Sequence, residues 1–113
     1  MMSKQETINE AKNLIGKQFQ LFGYTDLDNE MVKLGAGSIF DELSVSDFIN
    51  DEQPCWTFVD NEDEVFYLGV TYKIISGNAK ECNEKYINDE LEEWELEEEA
   101  RKTTIEITNI EEL

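Results

Sequence analysis

The alternation of apolar residues within residues 56–75 constrains the fold of this 113-residue chain more than any other feature. Every second residue of 66–74 is apolar, so these side chains share one face of a strand, and Trp56 and Phe58 do the same in the segment before it. The polar residues 61–64 between the two segments are typical of a turn. The sequence therefore predicts an antiparallel hairpin.

Weaker patterns precede the hairpin. Ser3 and Glu6 fit a capping box, and the apolar spacing after them predicts a helix over residues 4–15, with Gly16 at its end. Ser44 is a candidate cap for helical turns, and Pro54 closes that segment. The other elements predicted here are a strand at 17–24, a turn at 24–30, a short strand at 31–34 and helical turns within 39–50.

The last third of the chain permits two interpretations. In the favoured one, a helix continues through 89–99 and places Ile87, Leu91 and Trp94 on one face. In the other, the helix ends near Leu91, and Trp94 and Leu96 pair with a strand that carries Ile105 and Ile107. Both predict a strand at 103–110. The chain is predicted to be a single α+β domain over 1–113, a small mostly antiparallel sheet with a central hairpin at 55–75 and two or three helices.

Charge is the most unusual property of the composition. The chain carries 27 acidic and nine basic residues, a net charge of −18, where about 2 to 8 is usual for a small domain. Residues 34–72 contain nine acids and no base. No segment is apolar enough to span a membrane and residues 1–15 lack the core of a signal peptide, so we expect a cytoplasmic protein without membrane contact.

Several kinds of active or metal site are not expected. The chain has no histidine and two cysteines, Cys55 and Cys82, which disfavours His-dependent nucleophiles and structural zinc. The acids of 26–30 begin like a calcium loop, but Met31 stands where that loop needs glycine and Gly37 where it needs glutamate. We therefore expect no enzyme, no cofactor and no specific metal site.

Residues 89–99 contain eight acids and no base. If they are helical, a rise of about 1.5 Å per residue gives roughly one charge per 2 Å, close to the one per roughly 1.7 Å of duplex DNA. Like charges four residues apart destabilise a helix, so this density favours a function over solubility alone. The candidate partner-binding residues are Asp60, Glu62, Asp63, Glu64, Asp89, Glu90, Glu92, Glu93, Glu95, Glu97, Glu98 and Glu99.

With the acids of 89–99, the acidic turn 60–64 and the base-free span 34–72, the chain resembles in size and charge the small acidic anti-CRISPR proteins of bacteriophages. The resemblance is one of class and includes no shared motif. It implies an inhibitor, acting in the host bacterial cytoplasm, that mimics the phosphate backbone and blocks the DNA-binding site of a CRISPR effector nuclease. Direct nucleic-acid binding is disfavoured because few basic residues accompany the aromatic ones.

Two other functions remain open from the sequence. The chain is alternatively an interaction module, such as an accessory subunit or an antitoxin, that binds a basic partner through an apolar patch around Trp94 and Leu96 with acids as its rim. In the third interpretation, it is a phage or mobile-element protein whose acidity serves solubility. Substitution of Trp94 or of glutamate clusters distinguishes the first two.

Overall fold

Within residues 2–113, the part of the chain that the computed structural model describes, five α-helices and one four-stranded sheet confirm the predicted α+β class, with more helices than the two or three expected. The helices are α1 (Lys4–Lys12), α2 (Leu27–Lys33), α3 (Val45–Asn50), α4 (Ala79–Ile87) and α5 (Glu93–Arg101), and a 3-10 turn covers Ile39–Asp41. The strands are β1 (Gln18–Gln20), β2 (Cys55–Val59), β3 (Val65–Ser76) and β4 (Thr104–Glu112), and their order in the sheet is β1-β4-β3-β2.

The predicted hairpin is confirmed. Strands β2 and β3 pair antiparallel, with Trp56 opposite Leu68 and Phe58 opposite Phe66, and all four side chains are buried in the core. The hairpin lies to one side of the sheet, because β4 also pairs with β3 and leaves β2 at the edge. The helices cover the face that carries these aromatic residues, while the alternate residues of β2, such as Thr57, are exposed.

The predicted C-terminal strand is confirmed as β4, and it contains a β-bulge. Thr71 pairs with Asn109 and Tyr72 with Ile107, so Thr108 has no partner in the register. The extra residue reverses the alternation and lets both Ile107 and Ile110, three residues apart, point into the core. The Thr108 hydroxyl donates to the Thr71 carbonyl at 3.1 Å, which fixes the bulge.

The predicted N-terminal helix and the helical turns near residue 45 are also confirmed. The Ser3 hydroxyl accepts a hydrogen bond from the Glu6 amide at 3.2 Å and begins α1, which ends at Lys12, three residues earlier than predicted. In α3 the Ser44 hydroxyl accepts from the Asp47 amide at 3.1 Å, and the Asp47 carboxylate accepts from the Ser44 amide at 3.3 Å. The predicted strand at 17–24 is shorter, since β1 covers three residues.

The predicted strand at 31–34 is wrong, because this segment belongs to α2. The predicted turn also ends at Asp26, whose carboxylate accepts from the Asn29 amide at 2.9 Å and caps the helix. Leu27 and Met31 lie one turn apart and are 1% and 0% exposed. The Asp- and Asn-rich composition that suggested a turn thus supplies a helix cap instead.

Neither interpretation of the last third is fully correct. A helix is present, but it is broken into α4 and α5 by residues 88–92, so Ile87, Leu91 and Trp94 do not share one helical face. The alternative hairpin of Trp94 and Leu96 with Ile105 and Ile107 is wrong, since β4 pairs with β1 and β3.

Candidate partner-binding surface

A left-handed residue turns the chain between α4 and α5. Asp89 has φ +60°, and the Glu90 amide donates to the Lys85 carbonyl at 2.8 Å while the Asp89 amide donates to Tyr86 at 3.1 Å. These two bonds form a Schellman motif, which usually has glycine where Asp89 stands. The motif ends α4 and lets α5 fold back beside it. We call the two helices with their connection, residues 79–101, the acidic hairpin.

The acidic hairpin is fixed to the rest of the protein by buried contacts. Leu96 and Ala100 of α5 are fully buried, as is Ala79 of α4. The buried Asn83 side chain accepts from the Ser46 hydroxyl at 2.6 Å and donates to Asn50 at 2.9 Å, which ties α4 to α3. Acidic side chains on the outer surface are therefore carried by a well-anchored framework.

Most acids of 89–99 lie at the surface and form no salt bridge. Within the described residues, the one salt bridge to this group joins Lys102 Nζ to Glu98 Oε1 at 3.9 Å, between two exposed side chains. Such a pair contributes little. The exposed acids are Asp89, Glu90, Glu92, Glu93 and Glu98, and the half-buried ones are Glu95, Glu97 and Glu99.

Two of the half-buried glutamates also support the backbone. The Glu95 carboxylate accepts from the Glu92 amide at 3.0 Å, at the start of α5. The Glu99 carboxylate accepts from the Asn78 amide at 3.2 Å, just before α4 begins. Both carboxylates therefore help to hold the acidic hairpin together, and their negative charge remains at its surface.

Of the four acids in the turn at 60–64, one has a structural role and three lie at the surface. Asp60 is 6% exposed, and its carboxylate accepts from the amides of Glu62 at 2.8 Å and Glu64 at 2.9 Å. Asp63 adopts φ +60° in the same turn. Glu62, Asp63 and Glu64 are exposed, so they carry the charge that a partner would meet, whereas Asp60 shapes the loop.

The structure does not bring the two predicted acidic groups together. The turn at 60–64 precedes Val65 at one end of β3, whereas the acidic hairpin joins the sheet near Ser76 and its partner Thr104 at the other end. The twelve residues of β3 lie between these two ends, and at about 3.3 Å per residue a strand of this length spans at most roughly 36 Å. They form two separate surfaces, and the hairpin has the greater charge.

Exposed apolar side chains lie among the acids of the hairpin. Trp94 is 60% exposed and Ile87 is 55% exposed, while Leu91 is half-buried. Leu96, which the sequence grouped with Trp94, is fully buried and belongs to the core. Ile87 is the last residue of α4, and the end of the helix at this position was not predicted from the sequence.

A shallow groove runs between α4 and α5 beside Trp94. Cys82 and Leu91 line it together with the indole. Burial raises the pKa of the Cys82 thiol above its usual range, and the negative charge of Glu99 adds to the effect. The charged side chains along the groove are Glu95, Glu98, Glu99 and Lys102.

Asp26 and Asp28, in the segment that begins like a calcium loop, accept hydrogen bonds from within the protein. Asp28 accepts from Trp56 Nε1 at 2.9 Å, from the Ile39 amide at 3.0 Å and from the Ser38 hydroxyl at 2.6 Å. Burial raises the pKa of Asp26. Within residues 2–113, no three His, Cys, Asp or Glu side chains are arranged to hold a metal ion.

Comparisons with protein-family models, with curated proteins and with solved structures each give no match to this chain. None of the helices in residues 2–113 has the length and apolar character needed to cross a membrane.

Proposed function

We propose that the protein is a non-enzymatic inhibitor that occupies the nucleic-acid site of a basic host defence protein, acting as an anti-CRISPR of phage origin in the bacterial cytoplasm. The observation that carries this proposal is the density of carboxylates on the acidic hairpin, where five of the eight acids in residues 89–99 are exposed and three are half-buried. They are placed along α5 and the turn before it, so the negative charge is concentrated in one short segment, as it is along a phosphate backbone.

The electrostatics support this function over solubility alone. Lysine at some of these positions would retain solubility and remove the repulsion between Glu93 and Glu97, and between Glu95 and Glu99, which lie four residues apart on α5. A protein that binds DNA presents lysine and arginine to phosphates, and much of its affinity comes from those contacts. Carboxylates held on a fixed framework can occupy the same surface without nucleic acid.

The proposed partner is a CRISPR effector nuclease, and the proposed site is its pocket that reads a short duplex motif with arginines. The acidic hairpin and the turn at 60–64 adjoin opposite ends of β3. We propose that the hairpin, which has the greater charge, is the surface that enters the groove normally holding a duplex. The protein itself is not proposed to bind nucleic acid or a membrane.

A competition experiment tests the proposal. Purified effector nucleases loaded with guide RNA are mixed with this protein and a target duplex, at about 50 mM and about 200 mM salt. Mimicry predicts that the protein and the duplex exclude each other and that inhibition weakens at the higher salt. If an effector binds both at once, direct mimicry is refuted.

Two triple variants with equal change of charge locate the binding surface. The first is Glu90→Gln, Glu93→Gln and Glu98→Gln on the hairpin, and the matched control is Glu62→Gln, Asp63→Asn and Glu64→Gln on the turn. All six residues are exposed, so folding should be preserved. We expect the hairpin variant to slow association about tenfold at low salt, and the control to have a much smaller effect.

The alternative is a non-mimic interaction module, either an accessory subunit or an antitoxin, and the 60% exposure of Trp94 favours it. Tryptophan is one of the side chains enriched among the residues that contribute most to binding at the centre of an interface. Under this alternative, Trp94→Ala abolishes binding while the hairpin triple variant retains it. Mimicry predicts that the charge variant causes the larger loss.

A further inference from the structure

The geometry points to a specific contact for the groove between α4 and α5: it accepts an arginine side chain of the partner protein. Trp94 forms one side of the groove, and Cys82 and Leu91 line it. Its charged neighbours include Glu98, which is exposed and forms a long salt bridge of 3.9 Å to Lys102. An apolar surface, an aromatic face and several carboxylates are the three features that an arginine side chain can use together.

Each feature matches one part of arginine. The aliphatic stem can pack on Leu91 and Cys82, as long charged side chains do on apolar surface. The planar guanidinium can stack on the indole of Trp94, which is the aromatic ring that binds cations best. Its fork of N–H donors can then reach the Glu95 or Glu98 carboxylate, an arrangement that the ammonium group of lysine cannot reproduce.

The local charge selects a cation over an anion or a neutral ligand. Three glutamates and one lysine, Lys102, line the groove, so its own charge is negative. Lys102 reaches Glu98 at 3.9 Å, and both side chains are exposed, at 67% and 57%. Because an exposed pair of this length is weak, an incoming guanidinium can replace the lysine.

This inference depends on the proposed function for the identity of the partner, an arginine-bearing effector, but arginine binding by the groove can be measured alone. Oligo-arginine and oligo-lysine peptides of equal length and charge are titrated into the protein and binding is followed by calorimetry. We expect the wild-type protein to prefer oligo-arginine by about tenfold, because stacking and bidentate bonding add to the charge that both peptides share.

Two variants assign the preference to Trp94. In Trp94→Ala, we expect the preference for oligo-arginine to fall to about twofold, because oligo-arginine loses more affinity than oligo-lysine. The control is Tyr67→Ala, which removes another exposed aromatic residue, 45% exposed on the opposite face of the sheet, and should leave the preference unchanged. Urea unfolding of both variants verifies that they are folded. Equal affinity of the wild type for the two peptides, or an unchanged preference in Trp94→Ala, overturns the inference.

The outcomes of the two proposals are separable. If the peptide preference depends on Trp94 but no effector is displaced from DNA, then the groove binds arginine and the proposed inhibition is wrong. If DNA competition is observed and the peptides bind equally, then the protein inhibits through charge and the groove has no arginine specificity.

Discussion

Trp94 and Leu96 are two residues apart on α5 and lie on nearly opposite sides of the helix. Trp94 is 60% exposed, whereas Leu96 is 0% exposed and packs in the core. At about 100° per residue, two positions correspond to a rotation of about 200°, so their side chains are roughly 160° apart by the shorter way around the axis. One helix therefore anchors the acidic hairpin through Leu96 and presents an indole to solvent through Trp94.

This arrangement predicts opposite effects of alanine at the two positions. Leu96→Ala should lower the free energy of unfolding by about 2–5 kcal/mol, because it leaves a cavity in the core. Trp94→Ala should change it by less than about 0.5 kcal/mol, as is usual for exposed positions. Urea denaturation followed by circular dichroism measures both. A large loss in Trp94→Ala would mean that the indole is part of the core.

The acids around Trp94 predict a difference between ionic fluorescence quenchers. Caesium ions should quench Trp94 more strongly than iodide at low salt, since the negative surface attracts cations and repels anions. Added neutral salt should reduce the difference. The variant Trp94→Phe is the control, because the remaining Trp56 is fully buried. Equal quenching by the two ions at low salt would contradict a negative potential at this site.

The buried carboxylate of Asp60 predicts a structural role for one member of the acidic turn. Asp60→Ala removes the acceptor of two backbone amides and should cost about 1–3 kcal/mol of stability. Glu62→Ala, at an exposed position of the same turn, should change stability by less than about 0.5 kcal/mol. Thermal unfolding of the two variants makes the comparison. Similar losses would show that charge, and not the hydrogen bonds, determines the effect.

The raised pKa of Asp26 predicts a pH dependence of stability. Burial is the main cause, and the nearby Asp28 carboxylate adds to it. A carboxyl whose pKa is higher in the folded state binds its proton more tightly when folded. Its contribution to stability is therefore present below the unfolded pKa and is lost as the pH rises through the folded one.

Urea unfolding at about pH 7 and about pH 4 tests this contribution. The gain in stability of the wild type at the lower pH should be smaller in Asp26→Asn, which removes the titrating group and retains a good helix cap. Glu62→Gln, with the same change of charge at an exposed position, is the control. An unchanged gain in Asp26→Asn would show that this carboxyl does not contribute.

The left-handed Asp89 predicts a stabilising substitution. Asp89→Gly should raise the free energy of unfolding by about 0.5–1 kcal/mol, because glycine adopts φ +60° without strain and the acid opposes the dipole at the end of α4. Asp89→Ala removes the same charge and keeps the Cβ, so it should be less stable than Asp89→Gly. If alanine equals glycine, strain at this residue is not significant.

Elements with strong local patterns were predictable from the sequence. The alternation through 66–74 identified β3 because side chains of a strand alternate between two faces. Ser3 and Ser44 identified the starts of α1 and α3, because a hydroxyl before a helix bonds to a free amide. The positions of the acids in the sequence also located the excess charge at 89–99, and this conclusion did not depend on the secondary structure.

The remaining features depend on contacts between distant residues. Asp26 begins a helix because Leu27 and Met31 can be buried against the rest of the core, and no local pattern distinguishes this from a turn. The break at Asp89 is decided by packing, since α5 must fold back to bury Leu96 and Ala100. The sequence by itself determined that the protein carries a dense negative charge and an α+β core. The tertiary structure alone decided that Trp94 faces solvent among those charges, because the direction of a helical side chain is set by which other residues the core accepts.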